Sequence, residues 1–222
     1  MTPPISLIIF DCDGVLVDSE LLSAGILIEE VALHGVSLNQ SYVRDHFLGR
    51  SFPTVAQIIR DRFNLTLPPT FEARYRARLL EKFRTDLRTT PGLMDLLPLL
   101  SCARCVATSS SPPRVASSLA ITGLDRHFAQ VFTASLVKSG KPAPDLFLYA
   151  AAAMNTDPAH CLVIEDSRPG IAAAQAAGMH VLLYTGGSHM MGTSFDTTPP
   201  VRAFEAWDML PILFPALFKD PS

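Results

Sequence analysis

The sequence predicts an α/β fold: an open, doubly wound parallel sheet with helices on both faces and a block of extra helices inserted after the first strand. Three observations predict it. Short apolar runs of strand length alternate with amphipathic stretches of helix length along most of the chain, the pattern of a parallel sheet crossed by helices. The first run, Ile5-Ser6-Leu7-Ile8-Ile9-Phe10, has a single polar interruption, as suits a strand buried on both faces. Residues 16–88 are helical in pattern and too long for an ordinary loop.

After the first strand comes Asp11-Cys12-Asp13-Gly14, two carboxylates two residues apart where a buried strand ends. Such a pair is costly to place there without a partner. Asp18 or Ser19 then caps a helix with Glu20 in its first turn, and His34-Gly35 ends it. Three apolar stripes follow: Tyr42, Val43, Phe47 and Leu48; Val55, Ile58, Ile59 and Phe63; and Phe71, Tyr75, Leu79, Leu80 and Phe83. The third also carries Arg74, Arg76, Arg78, Lys82, Arg84 and Arg88, a solvated face or a face toward an anionic substrate. Leu48-Gly49-Arg50-Ser51 interrupts the helices, and it reads either as a helix end at Gly49 or as a loop that brings the Arg50 guanidinium to an anion.

Pro91-Gly92 marks the return to alternation. A helix is expected over 93–100, a strand at Cys105-Val106-Ala107 and a helix from Pro112-Pro113 to about Ile121. Strands follow at Val131-Phe132, Cys161-Leu162-Val163-Ile164 and Val181-Leu182-Leu183-Tyr184, with helices over 146–154 and 167–177 and Gly178 as a helix end. Residues 199–222 read as a closing strand and helix around Trp207, Leu210, Ile212, Leu213 and Phe214.

Composition narrows the function classes. The 222 residues are 48% hydrophobic and 18% charged, enough for a sizeable core and unlike a disordered chain. A net charge of −3 argues against a nucleic-acid-binding surface. No apolar run reaches the roughly 18 residues of a membrane span, and no secretory signal is evident. The four cysteines include Cys102-Ala-Arg-Cys105, which lacks the second ligand pair of a structural zinc site. A redox dithiol stays open there; the simpler reading is four reduced thiols in a cytoplasmic protein.

In open parallel sheets, ligands bind beyond the carboxyl ends of the strands. Four polar clusters fall at or near such ends: Asp11 and Asp13, Thr108 and Ser109, Lys141, and Glu165 and Asp166. Far apart in sequence, they converge on one rim. Carboxylates without a histidine or cysteine set make a hard oxygen site, suited to Mg²⁺. One ammonium can neutralise both a nucleophilic carboxylate and a phosphoryl group, and hydroxyls with backbone N–H groups can hold phosphoryl oxygens. A carboxylate beside metal and phosphate can attack phosphorus, and a second can serve as acid and then base. Neither G-x-x-x-x-G-K-[ST] nor G-x-G-x-x-G is present, so nucleotide-dependent transfer and NAD chemistry lose support.

Residues Asp11 to Glu20 closely resemble the first motif of the haloacid dehalogenase-like hydrolases. Thr108 matches the second motif, although the Thr108-Ser109-Ser110-Ser111 run allows a shift of one residue. Lys141 in Lys-Pro-Ala-Pro-Asp matches the third and Glu165-Asp166-Ser167 the fourth. The resemblance covers nearly the whole chain and is nearest to the β-phosphoglucomutase and sugar-phosphatase branch. It implies a Rossmann-like catalytic core of residues 1–15 and 89–222 and a helical cap domain of residues 16–88. It implies Asp11 as nucleophile and metal ligand, and Asp13 as general acid and base with its carbonyl on the metal. Thr108, Ser109 and Lys141 would hold the phosphoryl group, Asp166 and Glu165 the Mg²⁺, and Arg50 is the first choice for a cap residue on substrate. The β-phosphoglucomutases carry a histidine where this chain has Ser23, which favours hydrolysis over mutase activity. The expected protein is a Mg²⁺-dependent phosphatase of small phosphorylated metabolites, a monomer or weak homodimer, with phosphomutase as the alternative and a 2-haloacid dehalogenase or a binding protein further off.

Overall fold

The computed structural model describes residues 4–193 and 197–218. Residues 219–222 of the expected closing element lie outside that range. The chain forms β1 (Leu7–Phe10), β2 (Ala103–Thr108), β3 (Val131–Thr133), β4 (Cys161–Glu165), β5 (His180–Tyr184) and β6 (Ala203–Phe204). They make one sheet in the order β3-β2-β1-β4-β5-β6, parallel throughout. The expected doubly wound α/β architecture is therefore present, with β1 at its centre.

The nearly continuous apolar strands follow from helices on both faces. Ile8 and Phe10 of β1, Val106 of β2 and Leu162 and Ile164 of β4 turn to one face. There they meet Val115 and Leu119 of α6 (Pro112–Thr122). Leu7, Ile9, Cys105, Ala107 and Val163 turn to the other face, against α7 (Asp145–Ala153) and α8 (Arg168–Ala176). All four β1 side chains are fully buried, and each such residue stabilises the fold by about 1.5–3 kcal/mol. The helix expected over 93–100 is shorter. α5 spans Leu93–Leu96 and gives way to a 3-10 turn at Leu97–Leu99. Pro98 has no N–H for the Met94 carbonyl, so the α-helical ladder stops.

Between β1 and β2 lie α1 (Glu20–Ala32), α2 (Gln40–Phe47), α3 (Phe52–Phe63) and α4 (Phe71–Asp86). Their apolar stripes face one another: Ile26, Leu27 and Val31, then Val43 and Phe47, Val55 and Ile59, and Tyr75, Leu79 and Phe83 are all buried in a common cluster. The arginine-rich face of α4 is mostly matched within the insert itself. Glu30 of α1 is buried and takes Arg74 at 2.6 Å and Arg78 at 2.8 Å, while Lys82 pairs with Asp86. Arg84 pairs with Glu81. A single buried carboxylate shared by two guanidiniums is satisfied on both oxygens, which is what keeps its burial tolerable.

The insert leaves and rejoins the sheet through a two-strand neck. Val17 and Thr89 form an antiparallel bridge, Asp18 N–H donates to Arg88 O at 2.9 Å, and Thr90 N–H donates to Leu16 O at 3.0 Å. Thr90 Oγ1 donates to Val15 O at 2.6 Å and accepts from Trp207 Nε1 at 2.9 Å. Trp207 packs against Phe10, Tyr184 and Phe204, so the closing segment fastens the neck to the sheet. Replacing this one tryptophan by alanine is expected to cost about 3–5 kcal/mol of unfolding free energy. Urea denaturation followed by far-UV circular dichroism measures it; a loss below about 1 kcal/mol would show that the tail does not hold the neck.

Candidate active site

The sheet register places the acids. Phe10 pairs with Val106 on one side and Ile164 on the other, so Asp11 leaves β1 level with the ends of β2 and β4. Its N–H is held by Ile164 O at 3.0 Å. Glu165 ends β4 and Thr108 ends β2, both buried. Gly14 then turns the chain at φ +78°, and a Cβ there would meet Asp166 Oδ2 at 1.9 Å, so only glycine lets the loop pass this close.

Lys141 lies at the centre. Its buried ammonium donates to Asp11 Oδ1 at 2.5 Å, Glu165 Oε1 at 2.7 Å and Ala107 O at 3.0 Å, which uses all three of its donors. Burial alone would lower its pKa; Asp11 and Glu165 outweigh that and raise it. The other oxygen of Glu165 accepts from Asp166 N at 3.0 Å, Ser167 N at 2.9 Å and Ser167 Oγ at 2.8 Å. Both Glu165 oxygens are thus engaged by the protein. Asp166 is different: its buried Oδ2 makes no hydrogen bond among the described residues. His189 Nε2 comes within 2.9 Å of that oxygen, at an angle that makes no hydrogen bond.

One oxygen each of Asp11, Glu165 and Asp166 lies within 4.8 Å of the others. Three carboxylates face one ammonium here. Burial raises the Asp11 and Asp166 carboxyls well above the usual range; Lys141 counters it, and Glu165 adds to it for both. An all-oxygen set with an excess of negative charge and an unpartnered buried oxygen fits a hard divalent cation.

Asp13 is held on both of its oxygens as well. Oδ1 accepts from Ser19 Oγ at 2.6 Å and Arg114 Nη2 at 2.6 Å, and Oδ2 from Ser110 Oγ at 2.5 Å. Burial raises its pKa, but Arg114, Ser110 and Ser19 prevail and hold it below the usual carboxylate range. Ser19 occupies the expected N-cap position of α1, yet its hydroxyl goes to Asp13 and caps nothing. Asp18 Oδ1 accepts from Ser188 N and Oγ. Arg114 is half-buried, also donates to Ser23 Oγ at 2.9 Å, and lies over the Phe83 ring of the insert.

The remaining expected residues line the same chamber. Asp11, Asp13, Thr108, Ser109 and Arg50 border one cavity, together with Glu20, Ser23 and Tyr75 of the insert. Ser109 Oγ donates to Gly49 O at 3.0 Å, so its hydroxyl is turned to the insert loop. Gly49, at φ +73°, lies so close to Ser167 that a Cβ would meet its Oγ at 2.2 Å. Sequence reasoning passed over Arg114, Ser110, Glu20 and His189 as site residues. Arg114 carried a signal: it is the one charged residue of α6, Pro-Pro-Arg-Val-Ala-Ser-Ser-Leu-Ala-Ile-Thr. His189 follows the last long strand, where the strand-end rule would have included it.

Acids and a lysine gathered at the carboxyl ends of parallel strands, beneath an inserted helical layer, define an α/β enzyme of the hydrolase class. The chain belongs to the haloacid dehalogenase-like hydrolase family, whose family model matches residues 5–178. It is similar to the 6-phosphogluconate phosphatase of Escherichia coli K12, 28% identical over 214 residues, covering 96% of both chains. It is 32% identical over 176 residues to the fructose-1-phosphate phosphatase YqaB of the same organism, covering 78% of this chain and 92% of that one. Among solved structures it resembles the haloacid dehalogenase-like protein ATU0790 of Agrobacterium tumefaciens C58, with a TM-score of 0.78, 29% identity and coverage of 96% and 98%.

Glu20 offers a pH test of this chamber. Burial first, then Asp13 and Asp166, raise its carboxyl from the ordinary 4.5 to about 7. A group with a raised folded pKa binds more protons in the native state than in the unfolded one, so its charge costs stability as pH rises from 4.5 to about 7. In chelator-treated protein, the stability of Glu20→Gln relative to the parent is expected to grow across that interval and level off above it. Urea midpoints from pH 4.5 to 8 measure this, and a difference independent of pH would show that Glu20 meets water freely.

Proposed function

We propose that this chain is a Mg²⁺-dependent phosphatase of small phosphorylated metabolites, sugar phosphates above all, working through an aspartyl-phosphate on Asp11. The observation that carries the reading is the buried Lys141 bridging Asp11 and Glu165 at the strand ends. A structural ion pair needs two partners; this ammonium faces two carboxylates beside a third that has an unpartnered oxygen. Residues 1–15 and 89–222 serve as the catalytic core and residues 16–88 as the cap.

Asp11, Asp166 and the Asp13 carbonyl would hold the metal. Glu165 assists from behind, since its oxygens fix Lys141, the Asp166 N–H and Ser167. Bound Mg²⁺ would supply a Lewis acid that offsets the negative charge of the carboxylates and phosphoryl oxygens. Thr108 would offer its hydroxyl to the phosphoryl group, and Lys141, whose three donors are held by Asp11, Glu165 and Ala107, would offer its positive charge. An Asp11 oxygen attacks phosphorus and the bond to the leaving oxygen breaks, giving the acyl phosphate and an alcohol that takes its proton from Asp13. In the second step Asp13 takes a proton from water as the water attacks phosphorus, which releases Asp11 and inorganic phosphate. The Arg114 contact keeps Asp13 as a carboxylate, the form the second step needs; the first step needs that contact to open. With Ser23 in place of a cap histidine, water is the natural acceptor. The names of the two phosphatase relatives support sugar phosphates as the substrate class.

Phosphate release from a panel of sugar phosphates, phosphoglycolate and nucleotides is expected with Mg²⁺ and is expected to vanish in EDTA. Asp11→Asn is expected to lose turnover by about 10³-fold or more while keeping its circular dichroism. Near-normal release by that variant would overturn the mechanism.

A further inference from the structure

A cleft of about 530 Å³ leads away from Lys141 between the core and the helical insert. That is room for a phosphorylated sugar, since small-molecule sites are typically about 300–1,000 Å³. Its lining is one-sided in charge. Arg50, Arg76, Arg114, Lys138 and Lys141 border it, and no aspartate or glutamate does among the described residues. Three of the five cations are matched elsewhere: Lys141 by Asp11 and Glu165, Arg114 by Asp13, and Arg76 by Glu72. Arg50 and Lys138 have no ion pair and no side-chain hydrogen bond among the described residues. They come from opposite walls. Arg50 lies in the loop between α2 and α3, and Lys138 lies in the loop after β3.

We propose that this cleft selects phosphate monoesters carrying a second anion, a carboxylate or a second phosphate, at the end remote from the reacting phosphoryl group. Arg50 and Lys138 would receive it. The inference rests on the phosphatase reading and adds the substrate's second charge. Hydroxyls in the lining, Ser51, Thr54 and Ser135 among them, can serve the polyol part of such a substrate; the two uncompensated cations exceed what a neutral tail calls for. Arg50 also borders the inner chamber with Asp11 and Thr108, so it can reach the reacting phosphoryl group as well. Lys138 borders the cleft and not that chamber, so it isolates the distal contact. Its side chain is exposed, and its replacement leaves the core untouched.

The test compares three substrates of matched length with Mg²⁺: a hexose 6-phosphate, the corresponding hexonic acid 6-phosphate and a hexose 1,6-bisphosphate. The parent enzyme is expected to favour one or both of the doubly anionic substrates over the hexose phosphate by about tenfold in kcat/KM, mostly through KM. A preference for the acid alone or the bisphosphate alone supports the inference and identifies the anion. Lys138→Ala is expected to collapse the ratio toward one, and Lys138→Arg to retain it. Equal kcat/KM for all three substrates in the parent, or an unchanged ratio in Lys138→Ala, would overturn the inference. Failure of the phosphatase reading is distinguishable, because then none of the three releases phosphate. Calorimetric affinities of the Asp11→Asn protein for the same three compounds still decide the cleft in that case.

Discussion

The buried ammonium of Lys141 is the contact on which the rest of the site depends. Asp11, Glu165 and Asp166 come from two adjacent parallel strands whose register leaves them side by side. Burial raises the Asp11 and Asp166 carboxyls, and Lys141 is the cation that opposes it at both. Lys141 comes from the long segment between β3 and α7, so the ion pair also ties that segment to the centre of the sheet. Glu165 extends the chain of support: through Oε2 it orders the first turn of α8, and Ser167 in turn accepts from Gly170 N–H at 3.1 Å. One lysine thus sets a strand end, a loop and a helix start together.

A second pairing joins the site to the insert. Arg114 reaches from α6 to Asp13, to Ser23 of α1 and to the ring of Phe83 on α4. Other contacts across the same boundary are also polar: Ser109 to Gly49, Arg76 to Ser111, and Ser188 to Asp18. These polar contacts can be remade by water, while one apolar cluster runs on from the sheet face into the insert helices. The state of Asp13 and the closeness of the insert are therefore linked through one guanidinium.

Much of this was legible in the sequence, and the reasons are physical. A central parallel strand is covered on both sides, so β1 had to be almost wholly apolar, and the acids at its end called for a partner. The same argument found Thr108 and Glu165-Asp166. Lys141 is in a loop, and it stands out as a lone ammonium near a strand end and through the Lys-Pro-Ala-Pro-Asp motif. The chain's alternation could not show how the insert docks. Glu20 reads as an ordinary first-turn acid, and Ser19 as an ordinary cap, until α1 is laid against Asp13. Arg50 and the α4 arginines look alike as charges; only the packing shows that Glu30 absorbs Arg74 and Arg78 while Arg50 faces open space. The α5 helix stops short because of Pro98, a break that the amphipathic spacing of 93–100 masks.

The central place of β1 has a consequence for how the chain is made. Its neighbours in the sheet begin at Ala103 and Cys161, so the earliest strand to leave the ribosome pairs with segments that emerge much later. At about 5–20 residues per second, β1 waits on the order of ten to thirty seconds for its second partner. Throughout that interval Leu7-Ile8-Ile9-Phe10 is an apolar, strand-forming stretch with an open edge, the kind of segment that nascent-chain chaperones cover. Asp11, the proposed nucleophile, follows directly on that stretch, so shielding during synthesis and position in the finished sheet act on the same few residues.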